Sequence, residues 1–189
     1  MIKKRNLLLE GNDGGDKGYL GVHWDCNEEK HLKLISDFID KEDIYEEYGI
    51  EEEAHVTVLY GFNQTVTKKN IKPVMEDKCI FHTDIEFVGI SLFENEKYDV
   101  IKLDVKSEKL NEYNKFFSEN FPFESNFPDY KPHLTIAYVK SGLGKKYVTG
   151  NIGQELMMNV INSIEKCPLY YKFSDSEKNE TLFSIICDE

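Results

Sequence analysis

One six-residue pattern occurs twice in this chain, and it restricts the possible folds more than any other feature. His55-Val56-Thr57-Val58-Leu59-Tyr60 and His133-Leu134-Thr135-Ile136-Ala137-Tyr138 both read His-x-Thr-x-x-Tyr, with apolar residues in the gaps. Segments this rich in β-branched and apolar residues favour strands. Side chains on a strand alternate between faces, so a His and a Thr two apart point the same way. Two such strands brought together gather two imidazoles and two hydroxyls around one small anion.

The repeat extends beyond the motifs. A strand is expected at 19–24, a helix at 27–47 and the first motif strand at 55–60. The helix carries a stripe of Leu32, Ile35, Phe38 and Ile39 and is ended by Gly49. A strand is then expected at 98–105, a helix capped by Ser107 at 107–118, and the second motif strand at 133–139. The motif histidines lie 78 residues apart and the opening strands, at Tyr19 and Tyr98, 79 apart. A duplicated strand–helix–strand unit accounts for both offsets. Between the copies come a short helix at 67–75, with Thr67 as its cap and Pro73 limiting its length, and a strand at 85–93. The aromatic, proline-bearing stretch 121–132 reads as a loop. After the second motif, 160–173 reads as one long strand or two and 181–187 as the last strand. The expected fold class is α+β: a single bilobal domain over 1–189, with two pseudo-symmetric sheet-plus-helix lobes around a central cleft. The first lobe covers about 19–93 and the second about 98–187, with the final strands able to cross between them.

Composition narrows the function classes. Apolar residues make up 40% and charged residues 31%, with only 5 prolines, which does not fit a disordered chain. No apolar run reaches membrane-spanning length, and Leu7-Leu8-Leu9 is too short for a signal peptide's apolar region, so a soluble cytoplasmic protein without membrane contact is expected. A monomer or weak homo-oligomer is expected. Net charge is −12, which disfavours long duplex nucleic acid but leaves open a small cyclic or linear oligonucleotide in a locally positive cleft. The loop from Gly11 to Gly18 lacks the spacing and the Gly-Lys-Ser/Thr ending of a phosphate-binding P-loop. Cys26, Cys79, Cys167 and Cys187 have neither metal nor redox spacing and read as four reduced thiols.

The paired motif points to phosphodiester cleavage without a metal or other cofactor. Histidine titrates near neutrality, so one imidazole can act as base and the other as acid. In-line displacement needs the two on opposite sides of the phosphorus, hence one per lobe. Thr57 and Thr135 can donate to the non-bridging oxygens as charge develops there. Candidate catalytic residues are therefore His55, Thr57, His133 and Thr135. Candidate substrate contacts are Tyr19 and Trp24, which can stack on a base, Lys131 before the second motif and Lys140 after it. Tyr60 and Tyr138 join them, although strict alternation puts both on the opposite, core-facing side unless a bulge redirects them. Lys145 and Lys146 lie further along the same loop. His23, His31 and His82 read as surface or packed residues.

These residues resemble the signature of the two-histidine (2H) phosphoesterase superfamily, which includes RNA 2′-5′ ligase-like proteins and cyclic phosphodiesterases. The His-x-Thr motifs match at His55/Thr57 and His133/Thr135, and the run from Phe127 to Val139 is similar to phage-borne members. The resemblance implies a bilobal fold with both motifs in its cleft and no required metal. It also implies substrates among cyclic oligonucleotide signals of bacterial antiviral defence, with RNA ends bearing 2′,3′-cyclic phosphates as the alternative. For a phage-encoded member the site of action is the host cytoplasm. A nucleotide-binding module with an inactive cleft is the non-enzymatic alternative.

Overall fold

The structure is a computed structural model and describes residues 17–77, 84–125 and 129–184. Among these residues seven strands form one antiparallel sheet in the order β3-β4-β5-β2-β1-β6-β7. They are β1 (Gly18–Trp24), β2 (His55–Phe62), β3 (Glu86–Glu94), β4 (Tyr98–Lys106), β5 (His133–Lys140), β6 (Leu169–Ser174) and β7 (Glu180–Ser184). Among the described residues four α-helices accompany them: α1 (Glu28–Ser36), α2 (Lys68–Asp77), α3 (Glu108–Asn120) and α4 (Gly150–Ile164). Their inward residues, among them Ile35, Ile71, Leu110, Phe117, Leu156 and Val160, join Leu20, Val22, Val56, Leu103 and Leu134 of the sheet in one core. This is the expected α+β class.

The duplicated unit is visible as β1-α1-β2 and β4-α3-β5. The two copies meet where β2 pairs with β5, and that pairing consists of the single match Val56↔Leu134. Beyond it the strands diverge. Residues 44–51 run along one side of the gap, with bridges Ile44↔Val139 and Ile50↔Ala137. β3, which chain order would assign to the first lobe, pairs with β4 in the second half of the sheet; β6 and β7 extend the first half beyond β1.

Each motif strand carries a β-bulge at the same place. Against β1, Leu20 faces Leu59 but Gly21 faces Thr57, so Val58 is the extra residue. Against β4, Ile101 faces Ala137 but Lys102 faces Thr135, so Ile136 is extra. A bulge strands a carbonyl outside the ladder. Asn114 of α3 donates its side-chain amide to the Val58 carbonyl (2.8 Å), and the Glu51 amide donates to that of Ile136 (3.0 Å).

Local chemistry explains the helix starts. Asn27 accepts from the Lys30 amide at the head of α1, with Glu28 and Glu29 in the first turn. Ser107 accepts from Leu110 N, and the Asp84 carboxylate takes the Glu108 and Lys109 amides, so α3 is capped twice. Asn70 accepts from both the amide and the hydroxyl of Thr67 at the start of α2. Gly61 closes the first motif strand at φ +101°, where a Cβ would stand 1.9 Å from the Glu124 carbonyl oxygen; only glycine fits.

Three expectations need correction. The first helix stops at Ser36 rather than near 47, because residues 44–51 are drawn into hydrogen bonds with the diverging edge of β5. The stretch read as strand from 160 begins inside α4: Leu156, Val160 and Ile164 are buried at a spacing of four, a helical period that Gly150 and Gly153 obscured. Gly153 is needed there, since a Cβ would come 2.7 Å from the Val148 backbone. Finally, Cys26 and Cys167 form a disulfide rather than two reduced thiols. They are 141 residues apart, and the packing of α1 on α4 brings them together. Cys79, Cys187, His82, the loop at 11–16 and the end of the last expected strand lie outside the described residues.

Asn114→Ala leaves the Val58 carbonyl without its partner. The expected cost is about 1–3 kcal/mol of unfolding free energy, the penalty for an unmatched buried polar group. Urea denaturation with an unchanged slope and a lower midpoint checks this.

Candidate active site

The single match Val56↔Leu134 fixes the neighbours on either side. In an antiparallel pair, His55 then lies across from Thr135 and Thr57 across from His133. Val56 and Leu134 are buried in the core, so all four motif side chains share the other face of the sheet. His55 and His133 are diagonal neighbours, a relation that separates backbones by about 7–8 Å.

Both imidazoles are held by the same device. His55 Nδ1 lies 2.8 Å from the Glu53 carbonyl oxygen, and His133 Nδ1 lies 2.7 Å from that of Lys131. In each case the acceptor is two residues earlier in the chain. A carbonyl can only accept, so Nδ1 carries the proton and Nε2 is the nitrogen able to take or give one. The Glu51 carboxylate lies 4.0 Å from His55 Nδ1, and burial pushes its pKa above the ordinary carboxylate value.

The bulges decide where the motif tyrosines go. Beyond Val58, Tyr60 lies across from Tyr19, and beyond Ile136, Tyr138 lies across from Val100. Both tyrosines are thus turned to the His/Thr face, against the expectation from strict alternation. Tyr138 is covered by Tyr48 and Tyr98, at 5.1 and 5.7 Å between ring centroids. Tyr19 is buried, with its hydroxyl 3.2 Å from His23 Nε2, so it supports the site from beneath and presents no open ring to a base. Trp24 is on the core face, beside Phe87, and cannot touch a ligand held by the histidines. Lys131 acts through its backbone carbonyl, and its side chain is exposed. Lys140 sits at the far end of β5, seven residues or about 23 Å of strand from His133, with its ammonium on the Glu42 carbonyl oxygen.

The same face carries residues that the motif search passed over. On β4, Lys102 lies across from Thr135 and Asp104 across from His133. Lys102 is 5% exposed, its ammonium paired with Asp104, donating to Ser91 (2.8 Å) and lying 4.3 Å over the Phe93 ring. Phe93 in turn meets His133 edge-on at 4.9 Å. The alternation of Val100, Lys102 and Asp104 signalled a polar face, but not that it would adjoin the second motif. On the other flank, β1 places Gly21 across from Thr57 and His23 across from His55. His23 is fully buried and stacked on His55, with centroids 4.9 Å apart and planes 12° from parallel.

Beneath this flank lies a charge network centred on the buried Lys172, with Glu53 partly buried and Glu180 exposed. The Glu53 carboxylate is 2.8 Å from the Lys172 ammonium and 3.3 Å from His23 Nδ1. The second contact is close but out of line for a good hydrogen bond, since Nδ1 is otherwise unpartnered. The His23 ring and the Lys172 ammonium hold the Glu53 carboxyl low, at about 2. Burial pulls Lys172 down, but Glu53 and Glu180 (3.0 Å) outweigh it and the net shift is upward. Burial drives His23 down to about 3 and raises Tyr19, so His23 is neutral and Tyr19 a phenol donor at physiological pH. Among the described residues, no three His, Cys, Asp or Glu side chains cluster to hold a metal ion, and no helix is long and apolar enough to cross a membrane.

Residues 44–150, which include both motifs, match the 2′-5′ RNA ligase superfamily. The chain belongs to that family, the two-histidine phosphoesterases. It is accordingly a phosphodiesterase. No curated protein matches the chain. Among solved structures it is similar to Kluyveromyces marxianus Usb1 with uridine monophosphate, at 9% identity and a TM-score of 0.51, covering 89% of this chain and 98% of that one. A second structure of the same yeast protein gives 10% identity and a TM-score of 0.50, covering 90% and 98%. At these identities the likeness is one of fold.

Because unfolded histidine takes a proton near pH 6.5 and folded His23 resists it to about 3, folding stability falls as pH drops through that window. His31, buried with both ring nitrogens unpartnered and its pKa lowered, adds in the same direction. Glu53 acts lower, between its ordinary 4.5 and about 2. His23→Phe is expected to reduce, without abolishing, the loss of urea midpoint between pH 7 and pH 4.

Proposed function

We propose that this protein is a metal-independent phosphodiesterase in which His55 and His133 divide acid and base catalysis on a small nucleotide phosphodiester. The observation that carries the reading is the antiparallel juxtaposition of the motifs about Val56↔Leu134, with both Nδ1 atoms tied to backbone and both Nε2 atoms thereby made the reacting nitrogens. One neutral imidazole takes a proton from water or a ribose hydroxyl as that oxygen bonds to phosphorus. The P–O bond to the leaving group breaks, and the other imidazole, protonated, gives its proton to the departing oxygen. Thr57 and Thr135 donate to the non-bridging oxygens.

For the substrate we favour a cyclic oligonucleotide signal, with an anti-defence role in a phage-infected host following from it. A chain of net charge −12, whose buried lysines beside the motifs are matched by Asp104, Glu53 and Glu180, is ill suited to track a long polyanion. The second reading is cleavage at RNA ends bearing 2′,3′-cyclic phosphate or 2′-5′ linkages. The uridine monophosphate named with the Kluyveromyces structure supports a nucleotide of that kind.

Purified protein in EDTA, given cyclic dinucleotides, cyclic trinucleotides and 2′,3′-cyclic-phosphate-ended RNA, separates the readings. Turnover of RNA ends alone selects the second; nucleotide binding without turnover selects a binding module. H55A and H133A are each expected to remain folded and to lose about 10²–10⁴-fold in kcat. T57V and T135V are expected to lose about 10²-fold, as for removal of one transition-state donor. Full rate in H55A would overturn the assignment of the first motif.

A further inference from the structure

We infer that His23 is a positioning residue for His55, acting through the stacked face of its ring. The inference rests on the proposed role of His55. His23 is the middle of three rings: its own ring lies 4.9 Å and 12° from His55 on one side and 5.4 Å and 24° from Tyr170 on the other. These are near-parallel contacts at aromatic packing distance. A single hydrogen bond, from Nδ1 to the Glu53 carbonyl, leaves a ring free to tilt about that bond. A parallel plane pressed against its face removes that freedom.

The surroundings keep His23 itself from moving or charging. The Glu53 carboxylate, which can only accept, faces His23 Nδ1 at 3.3 Å and so favours the proton there, leaving Nε2 to accept from the Tyr19 hydroxyl at 3.2 Å. Glu53 thus serves both histidines, its carbonyl holding His55 and its carboxylate facing His23, while Lys172 fixes that carboxylate at 2.8 Å. The groups facing His23 are therefore Tyr19 on its own strand, Glu53 two residues before the first motif, His55 at its start, and Tyr170 and Lys172 from β6. A neutral ring lying flat on an imidazolium is attractive, whereas a second imidazolium would repel it. Burial holds His23 neutral throughout the range in which a catalytic histidine cycles.

The second motif is supported in a different way. Its histidine meets Phe93 edge-on and faces the Asp104 position across the strand pair. The two halves therefore carry the same His-x-Thr device on different supports, and the tightly packed arm is His55, at 5% exposure.

The test compares His23→Phe, which keeps a ring to stack, with His23→Leu, which keeps apolar bulk without one. Histidine-ring ¹H–¹⁵N NMR on each folded protein reports the His55 tautomer without any substrate. We expect H23F to retain one Nδ1-protonated His55 species and H23L to show both tautomers. On the phosphodiester that the wild type turns over, H23L should lose about 10-fold in kcat with KM within twofold, and H23F less than 3-fold. Identical behaviour of the two variants in the NMR, both intact or both impaired, overturns the inference. An active H55A overturns the catalytic reading on which it rests, and is scored separately.

Discussion

The organisation of this protein depends on one backbone pairing, Val56 with Leu134. It is the only register match between β2 and β5, and it joins the two halves of a seven-stranded sheet. Because strand side chains alternate, sinking these two apolar residues into the core turns the residues on either side outward together. A one-residue slip would turn the histidines into the apolar core and Val56 and Leu134 out of it. The hydrophobic effect on one face therefore enforces the polar geometry on the other.

The bulges refine that geometry. Strict alternation along either motif strand would give the tyrosine to the core. The extra residue, Val58 or Ile136, resets the alternation, so the tyrosine joins the histidine and threonine. Each bulge leaves a carbonyl that the ladder cannot use, and each carbonyl has its own partner, Asn114 in one case and the Glu51 amide in the other. The paired irregularity is a duplicated feature of the strands, satisfied by unrelated elements in the two copies.

The halves differ where chemistry needs them to differ. A pseudo-symmetric pair of imidazoles must take opposite proton roles in one step. Around His55 the support is a stack of neutral rings above the buried Lys172 and its partly buried partner Glu53. Around His133 it is the edge of Phe93 and the Lys102–Asp104 pair. Gly21 lies across from Thr57 and Lys102 across from Thr135, so the cation beside the motif threonine is supplied from one side only.

Much of this was legible in the chain. The doubled His-x-Thr-x-x-Tyr pattern, its apolar gaps and the matching upstream units are local and periodic, so they fixed the strands, the duplication and the shared orientation of His and Thr. Periodicity misled where a segment answered to a distant partner. Residues 44–51 gave up the helix to bond the edge of β5, and Cys26 met Cys167 only through the packing of α1 on α4. Trp24 and Lys140 looked like ligand contacts by sequence proximity, but one faces the core and the other lies at the wrong end of its strand. His23 was the opposite case, a surface or packed histidine by sequence that strand register sets flat against His55. What the sequence alone determined was which residues share a face, because a period of two is a property of the backbone. Which faces adjoin, and which rings lie on which, depended on register and bulges, and these are set only when strands far apart in the chain pair.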